Sequence, residues 1–81
     1  MGRFYFHLRA GGELTPDEEG TDLPDFSAAQ REALLGAREL LAEAIKSGKK
    51  NVPDAFVIAD EEGRMLDIVL LAAVLPEPLK K

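Results

Sequence analysis

One segment of this chain has the periodicity of a long amphipathic helix, and the residues near the N-terminus, before it, alternate as a strand does. Over residues 25–47 the apolar side chains recur at intervals of three and four, with charged side chains on the opposite side. The predicted buried stripe is Phe26, Ala29, Ala33, Ala37, Leu40 and Ala44, widened by Leu34, Leu41 and Ile45. Because one helix covers one face of a sheet, this pattern predicts a two-layer fold whose second face has no helix over it.

Both ends of the predicted helix carry sequence signals. Asp25 or Ser27 is expected to cap its N-terminus, because short oxygen-bearing side chains accept hydrogen bonds from first-turn amides. Gly48 occupies the position at which helices commonly end. The centre of the buried stripe is mostly alanine, so the helix axis can approach the sheet closely.

The first strand is predicted from strict alternation near the N-terminus. Its two faces are Phe4, Phe6 and Leu8 on one side and Tyr5 and His7 on the other. Gly11-Gly12 supplies a hairpin turn into a short strand at residues 13–15, which Pro16 limits. This glycine pair opens no helix and precedes no Lys-Ser or Lys-Thr, so it is not a phosphate loop.

Two more strands are predicted after the helix, at residues 55–59 and 65–71, where β-branched and aromatic residues are frequent. We therefore predict an α+β fold: a two-layer antiparallel sheet of three to four strands, in the order β-β-α-β-β, with one long helix on one face. We expect residues 1–81 to form a single domain, with a loosely held tail at residues 76–81.

Composition narrows the chemistry that this fold can support. The 81 residues contain no cysteine and one histidine, which excludes disulfides, thiol catalysis and the usual cysteine or multi-histidine zinc sites. The formal net charge is −5, and residues 10–25 hold six acids and no base, so we expect no nucleic-acid partner. No apolar run approaches the length of a membrane helix, so we expect no membrane association and a cytoplasmic location. No cofactor is expected.

The tetrapeptide Asp-Glu-Glu-Gly occurs twice, at residues 17–20 and 60–63. Asp at the first position of a turn accepts a nearby amide, and Gly adopts positive φ, so both copies are predicted to be turns. The alternative is a Mg²⁺ or Ca²⁺ site formed by Asp17, Glu19 and Asp22. Neither copy has the ligand spacing of a calcium loop, so we expect no metal site.

The lone histidine raises the question of catalysis. By alternation His7 lies beside Tyr5 on the face away from the helix, and Asp67 on the last strand is expected to share that face. A general base needs a pocket and usually a nucleophile, yet Ser27 and Ser47 lie at the two ends of the helix, far from that face. We therefore predict a histidine on a partly exposed sheet surface, no catalytic residue and no enzyme activity.

The outward face of the sheet is the predicted interaction surface. The helix side is expected to hold Phe4, Phe6, Leu8, Phe56, Ile58, Leu66 and Ile68. The interface residues are then Tyr5, His7, Val57, Val69, Leu71 and Val74. Contiguous exposed apolar surface usually marks a protein contact, so we predict a homodimer or a protein partner at this face. The alternative is that residues 72–79 fold back and cover it.

The order of these features resembles a known family. The aromatic strand at residues 3–9, the Gly-Gly turn, the acidic turn at residues 17–20, Leu23-Pro24-Asp25 and the alanine-rich helix resemble an uncharacterised family of short bacterial proteins, a domain of unknown function. The resemblance covers most of residues 3–70. It implies a small α+β domain and carries over no catalytic residue.

A second resemblance depends on element order alone. A strand hairpin before a long helix is similar to antitoxins of the HicB kind, which implies a small basic toxin as partner for the acidic residues 13–25. From the sequence we therefore predict a non-enzymatic protein-interaction module that homodimerises through the uncovered sheet face. The alternative is a HicB-like antitoxin domain.

Overall fold

A computed structural model describes residues 2–48 and 52–74, and these residues form five strands, one α-helix and one 3₁₀ helix. The strands are β1 (Gly2–Ala10), β2 (Glu13–Thr15), β3 (Thr21–Leu23), β4 (Ala55–Ala59) and β5 (Met65–Leu70). Helix α1 (Phe26–Ser47) lies between β3 and β4 in the chain, and the 3₁₀ helix (Leu71–Val74) follows β5.

The strands form one antiparallel sheet with the order β2-β1-β4-β5, and β3 also pairs with β1. Helix α1 packs on one face of this sheet, which confirms the predicted two-layer α+β fold. The sheet has five strands rather than three to four, because residues 21–23 pair with residues 2–4. A three-residue strand of this kind depends on tertiary pairing, which local sequence patterns do not encode.

The helix begins and ends at residues that local chemistry explains. Of the two candidate caps, Asp25 is the one used: its Oδ1 accepts a hydrogen bond from the Ala28 amide at 2.9 Å. At the other end, the Gly48 amide donates to the carbonyls of Ala44 and Ile45.

The core lies between the alanine stripe of α1 and the three longest strands. Its centre consists of Ala29, Ala33, Ile58 and Val69, with Phe4, Phe6, Leu23 and Phe56 packed around it. A Cβ added at Gly36 would lie 3.3 Å from Cζ of Phe56, which shows how closely the helix approaches the sheet. Three residues of the predicted stripe are exposed instead, Phe26, Leu34 and Ile45, because they fall at its margins.

The prediction for the faces of the last strand is wrong by one residue. Val69 pairs with Phe56 and packs against the helix, whereas Ile68 pairs with Val57 on the other face. Leu66 has the same parity as Ile68, so neither residue lies on the helix side as predicted. Most positions from 65 to 71 are apolar, so the pattern did not fix the parity, and a one-residue slip exchanges the two faces of a strand.

The predicted tail at residues 76–81 lies outside the described residues. The same holds for most of residues 72–79, the segment expected as an alternative cover for the open face. Its first three residues belong to the 3₁₀ helix, which contacts α1 and β5.

Candidate functional site

The candidate functional site is the face of the sheet opposite α1, defined here as the uncovered face. Cross-strand pairing arranges it in three rows. The first row is Leu14, Arg9, Ala55 and Leu70; the second is His7, Val57 and Ile68; the third is Tyr5, Ala59 and Met65.

The uncovered face has the shape of a shallow trough. Its floor is the central strand β4, whose side chains Ala55, Val57 and Ala59 are small and buried. The walls are the longer side chains of β1 on one side and of β5 on the other. The floor is therefore buried within the chain itself, whereas Leu14 and Leu70 on its two sides are exposed.

The structure places Tyr5, His7 and Val57 on the uncovered face, where the alternation of β1 and β4 puts them. Val69 and Leu71 are not there, so their predicted placement is wrong. Val69 packs against the helix alanines, and Leu71, 2% exposed, begins the 3₁₀ helix that contacts α1. Val74 ends the same 3₁₀ helix and is half-buried.

Sequence reasoning missed several apolar residues of the uncovered face. Leu14 pairs with Arg9 and is 52% exposed, and Leu70 pairs with Ala55 and is 49% exposed. Leu66 has the parity of Leu70 and is 41% exposed, close to a register shift that sets Met65 opposite Ala59. The Gly-Gly hairpin was the available signal for Leu14, because a tight turn after β1 fixes which residues pair across it.

Tyr5 and His7 form an aromatic pair near one end of this face. Their ring centroids are 6.4 Å apart and the rings are inclined by 21°. A shallow cavity of about 330 Å³ lies over them, lined also by Asp17 and Glu18 of the first acidic turn and by Asp60, Glu61 and Gly63 of the second. The two copies of the tetrapeptide, 43 residues apart in sequence, therefore meet at the same cavity.

The first acidic turn, residues 17–20, is bound to the middle of β1. Oδ2 of Asp17 accepts a hydrogen bond from the Phe6 amide at 3.1 Å, and Oδ1 accepts from the amides of Glu19 and Gly20, each at 3.2 Å. The Asp17 amide in turn donates to Nδ1 of His7 at 2.9 Å. On this edge of β1, residues 2–4 pair with β3 and residues 8–10 pair with β2, which leaves a gap between the two partners. In this gap the Asp17 side chain takes the place of a strand partner for the Phe6 amide.

These bonds affect the pKa of Asp17 and the tautomer of the neutral His7 ring. Partial burial acts to raise the pKa of the Asp17 carboxyl, but the amide hydrogen bonds from Phe6, Gly20 and Glu19 together outweigh it, so the pKa lies below its usual value. In His7, Nδ1 accepts a hydrogen bond, so the proton of the neutral ring is on Nε2.

Gly20 ends this turn in close contact with the uncovered face. Its φ is 73°, and a Cβ there would lie 2.9 Å from Cγ of Arg3 and 2.9 Å from Cε2 of Tyr5. Arg3 also binds the turn from below, donating from Nη1 to the Glu19 carbonyl at 2.6 Å and pairing with Asp22 at 3.3 Å. The turn therefore covers the Arg3 end of β1 and leaves the rest of the face open.

The second acidic turn, residues 60–63, closes the β4–β5 hairpin by itself, as predicted. Oδ1 of Asp60 accepts the amides of Glu62 and Arg64 at 2.9 Å each, and Oδ2 accepts Nε–H of Arg64 at 2.9 Å. The amide hydrogen bond from Arg64 is the main cause that lowers the pKa of the Asp60 carboxyl. Gly63, with φ of 85°, has open space where a Cβ would lie.

The expected proximity of His7 and Asp67 is not found. Asp67 lies on the helix side of β5, where its carboxylate accepts hydrogen bonds from Nε2 of Gln30 at 3.2 Å and from the Ile68 amide at 2.8 Å. It lines a groove of about 490 Å³ between α1 and β5, separate from the Tyr5 and His7 cavity. Asp67 was assigned to the wrong face of β5 for the same reason as Val69, because the predicted faces of this strand were exchanged.

Two of the three carboxylates considered as a cation site are bound by the chain itself. Asp17 accepts three amide hydrogen bonds, and Asp22 pairs with Arg3. Among residues 2–48 and 52–74, no three acidic or histidine side chains are arranged to hold a metal ion. Within the same residues, no helix combines the length and apolar character that crossing a membrane requires.

Within residues 2–48 and 52–74, the fold is a small α+β domain in which α1 packs on one face of the sheet and not on the other. Residues 3–72 match the model of the family described as Domain of unknown function (DUF6894). The chain belongs to this family, and the predicted membership of an uncharacterised family is confirmed. Comparison with curated proteins and with solved structures found no match.

Proposed function

We propose that this chain is a non-enzymatic protein-interaction module that homodimerises through the uncovered face. The observation that carries the proposal is the exposure of Leu14, Leu66 and Leu70 around one trough, on the face that α1 does not reach. Contiguous exposed apolar surface of this kind is typical of protein contacts.

The shape of the face supports a sheet-on-sheet contact. Small floor residues on β4 leave room for side chains of an opposing sheet, which pack at a separation of about 10 Å. The face is four strands wide and about six residues long, or about 19 by 20 Å, which is small beside a standard interface. We therefore expect a dimer of modest affinity.

The site chemistry supports a binding role over a catalytic one. Nδ1 of His7 is held by the Asp17 amide, and Asp67 lies on the other face of the sheet. The cavity over Tyr5 is shallow and open to solvent, whereas catalysis needs a concave site that excludes water.

The test is a pair of matched substitutions, Leu70→Glu on the uncovered face and Ile45→Glu on the outer side of α1. Both side chains are exposed in the single chain, so neither change should disturb the core. Molecular mass is measured by sedimentation equilibrium up to about 200 µM, a concentration at which a small interface still associates. We expect a dimer for the parent and for Ile45→Glu, and a monomer for Leu70→Glu.

Leu14→Glu provides an independent check from the opposite edge of the face, and circular dichroism establishes that each variant is folded. A parent chain that is monomeric throughout this range contradicts the proposal. So does a Leu70→Glu variant that is folded and dimerises as well as Ile45→Glu.

The exposed acids Glu18 and Glu61 favour a second candidate, the neutralisation of a small basic toxin in the manner of HicB-like antitoxins. This stays a prediction, as does a cytoplasmic location. Co-expression with a basic protein encoded beside this chain tests it: a complex broken by Glu18→Arg supports the antitoxin role. A complex that forms equally with Glu18→Arg contradicts it.

A further inference from the structure

The uncovered face carries opposite charges at its two ends. At the Tyr5 end, Glu18 and Glu61 are exposed and line the same cavity. Neither has an ion-pair partner among residues 2–48 and 52–74, whereas Asp22, Asp60 and Glu62 are paired with arginines there.

The other end of the face carries Arg9. It lies four residues from Tyr5 on β1, which is about 13 Å along a strand, and alternation puts it on the same face. Leu14, Ala55 and Leu70 complete its row. In the part of the chain that the structure describes, Arg9 makes no salt bridge.

Two arrangements of a symmetric face-to-face dimer differ in how these ends meet. Aligned sheets pack with their strands within about 30° of each other, so the two β1 strands run either the same way or in opposite directions. If they run the same way, the acidic ends of both copies come together. If they run in opposite directions, with the two-fold axis crossing the strands near His7, each acidic end meets the Arg9 end of the other copy.

We propose that a second copy of this chain packs on the uncovered face with its strands antiparallel, so that Arg9 lies against the partner's Glu18 and, by symmetry, Glu18 lies against the partner's Arg9. This rests on the proposed homodimer and specifies its geometry. Glu18 rather than Glu61 is the main contact, because it belongs to the turn bound to β1, the strand that carries Arg9. Apolar contact supplies the affinity and the charges select the orientation.

Exchanging the two charges tests this geometry. Arg9→Glu sets Glu against the partner's Glu18, and Glu18→Arg sets Arg against the partner's Arg9, so each variant alone should dimerise about tenfold more weakly than the parent. In a mixture of the two variants, one contact has exchanged charges and the other has the original ones. The mixed dimer should therefore recover an affinity close to that of the parent.

The controls make the same charge changes elsewhere. Arg38→Glu and Glu43→Arg lie on exposed positions of α1 and should leave dimerisation unchanged, both separately and mixed. Sedimentation equilibrium gives the affinities, and native mass spectrometry with one variant labelled with nitrogen-15 counts the mixed dimers. High salt should shrink the differences between variants.

The outcomes separate this geometry from the homodimer itself. Weaker association of each variant with recovery on mixing supports the antiparallel arrangement. A parent dimer whose affinity neither single exchange changes, or a mixture that recovers nothing, overturns the arrangement and leaves the homodimer standing. A monomeric parent overturns both.

Discussion

In both Asp-Glu-Glu-Gly turns one carboxylate oxygen of the aspartate accepts local amides, and the turns differ in what the second carboxylate oxygen reaches. Oδ1 of Asp17 and Oδ1 of Asp60 each accept two amides from residues that follow in the chain. Oδ2 of Asp17, however, accepts the amide of Phe6, eleven residues earlier, whereas Oδ2 of Asp60 accepts the side chain of Arg64 within its own turn. The first turn is therefore bound to β1, whereas the side-chain hydrogen bonds of Asp60 in the second turn stay within residues 60–64.

The difference shows that turn chemistry and tertiary role are separate properties of a tetrapeptide. When Oδ1 of an aspartate accepts two amides, Oδ2 can still accept a hydrogen bond, and the surroundings of the turn decide which donor binds it. For Asp17, beside the gap between β2 and β3, the donor is the Phe6 amide of β1, which has no strand partner there. For Asp60, at the end of a hairpin, the donor is the guanidinium of Arg64.

The largest difference between the turns is expected at their glycines. Gly20→Ala should destabilise the fold by about 3 kcal/mol, because positive φ costs about 1 kcal/mol and the added Cβ would overlap Arg3 and Tyr5. Gly63→Ala should cost only the backbone part, about 1 kcal/mol, since nothing lies near its Cβ. Urea unfolding measures both. Equal losses of unfolding free energy in the two variants would mean that Gly20 is not in close contact with the side chains of β1.

The aspartates come next. Asp17→Ala removes the acceptor of three amides, including the half-buried Phe6 amide, and should cost about 2 kcal/mol. Asp60→Ala should cost less, since water can replace its exposed partners. The same unfolding experiment measures both, with amide hydrogen exchange at Phe6 as a local readout. Unchanged exchange at Phe6 in Asp17→Ala would show that the bond across the gap is unimportant.

Acid provides a third comparison. The pKa of Asp17 is lower in the folded chain than its ordinary value of 3.8, so its stabilisation is complete above that value and is lost as pH falls through the lower, folded pKa. The loss should be small, because the carboxyl is only partly buried and solvent weakens its interactions. Asp17→Asn should flatten the stability profile below about pH 4, whereas the profile of Asp60→Asn should follow the parent more closely. A parent-like slope in Asp17→Asn would contradict this assignment.

The smallest difference concerns the arginines beside the two turns. Arg3→Ala should cost about 0.5 kcal/mol, because it removes the bond to the Glu19 carbonyl and an exposed ion pair with Asp22. Arg64→Ala should leave the unfolding midpoint unchanged, because its partners lie within its own exposed turn. A larger effect at Arg64 than at Arg3 would reverse the comparison.

The faces of a segment could be predicted from the sequence only where its apolar and polar residues follow a regular spacing. Helix α1 and the faces of β1 were predictable, because alternation in β1 and a three-and-four spacing in the helix each favour one arrangement of side chains. Strand β5 was not, because residues on both of its faces are apolar and the parity was open. The errors at Val69, Leu71 and Asp67 all follow from that one ambiguity.

The sequence predicted that the candidate site is the sheet face opposite the helix, but it predicted only some of the residues on that face. Tyr5, His7 and Val57 followed from alternation, whereas Leu14 and Leu70 required the pairing register of strands that are distant in sequence. The meeting of the two acidic turns at one cavity has no local signal at all.

By itself, the sequence determined that there is one helix, that its alanine stripe packs on a sheet, and that both acidic tetrapeptides form turns. These features follow from the spacing and type of residues close together in the chain, which form the helix with its apolar stripe and the local hydrogen bonds of the turns. Only the tertiary structure decided which face of β5 is covered, that β3 joins the sheet, and that Asp17 takes the place of a strand partner for Phe6. Those outcomes depend on which distant groups come within hydrogen-bonding or packing distance, and that is set when the layers assemble.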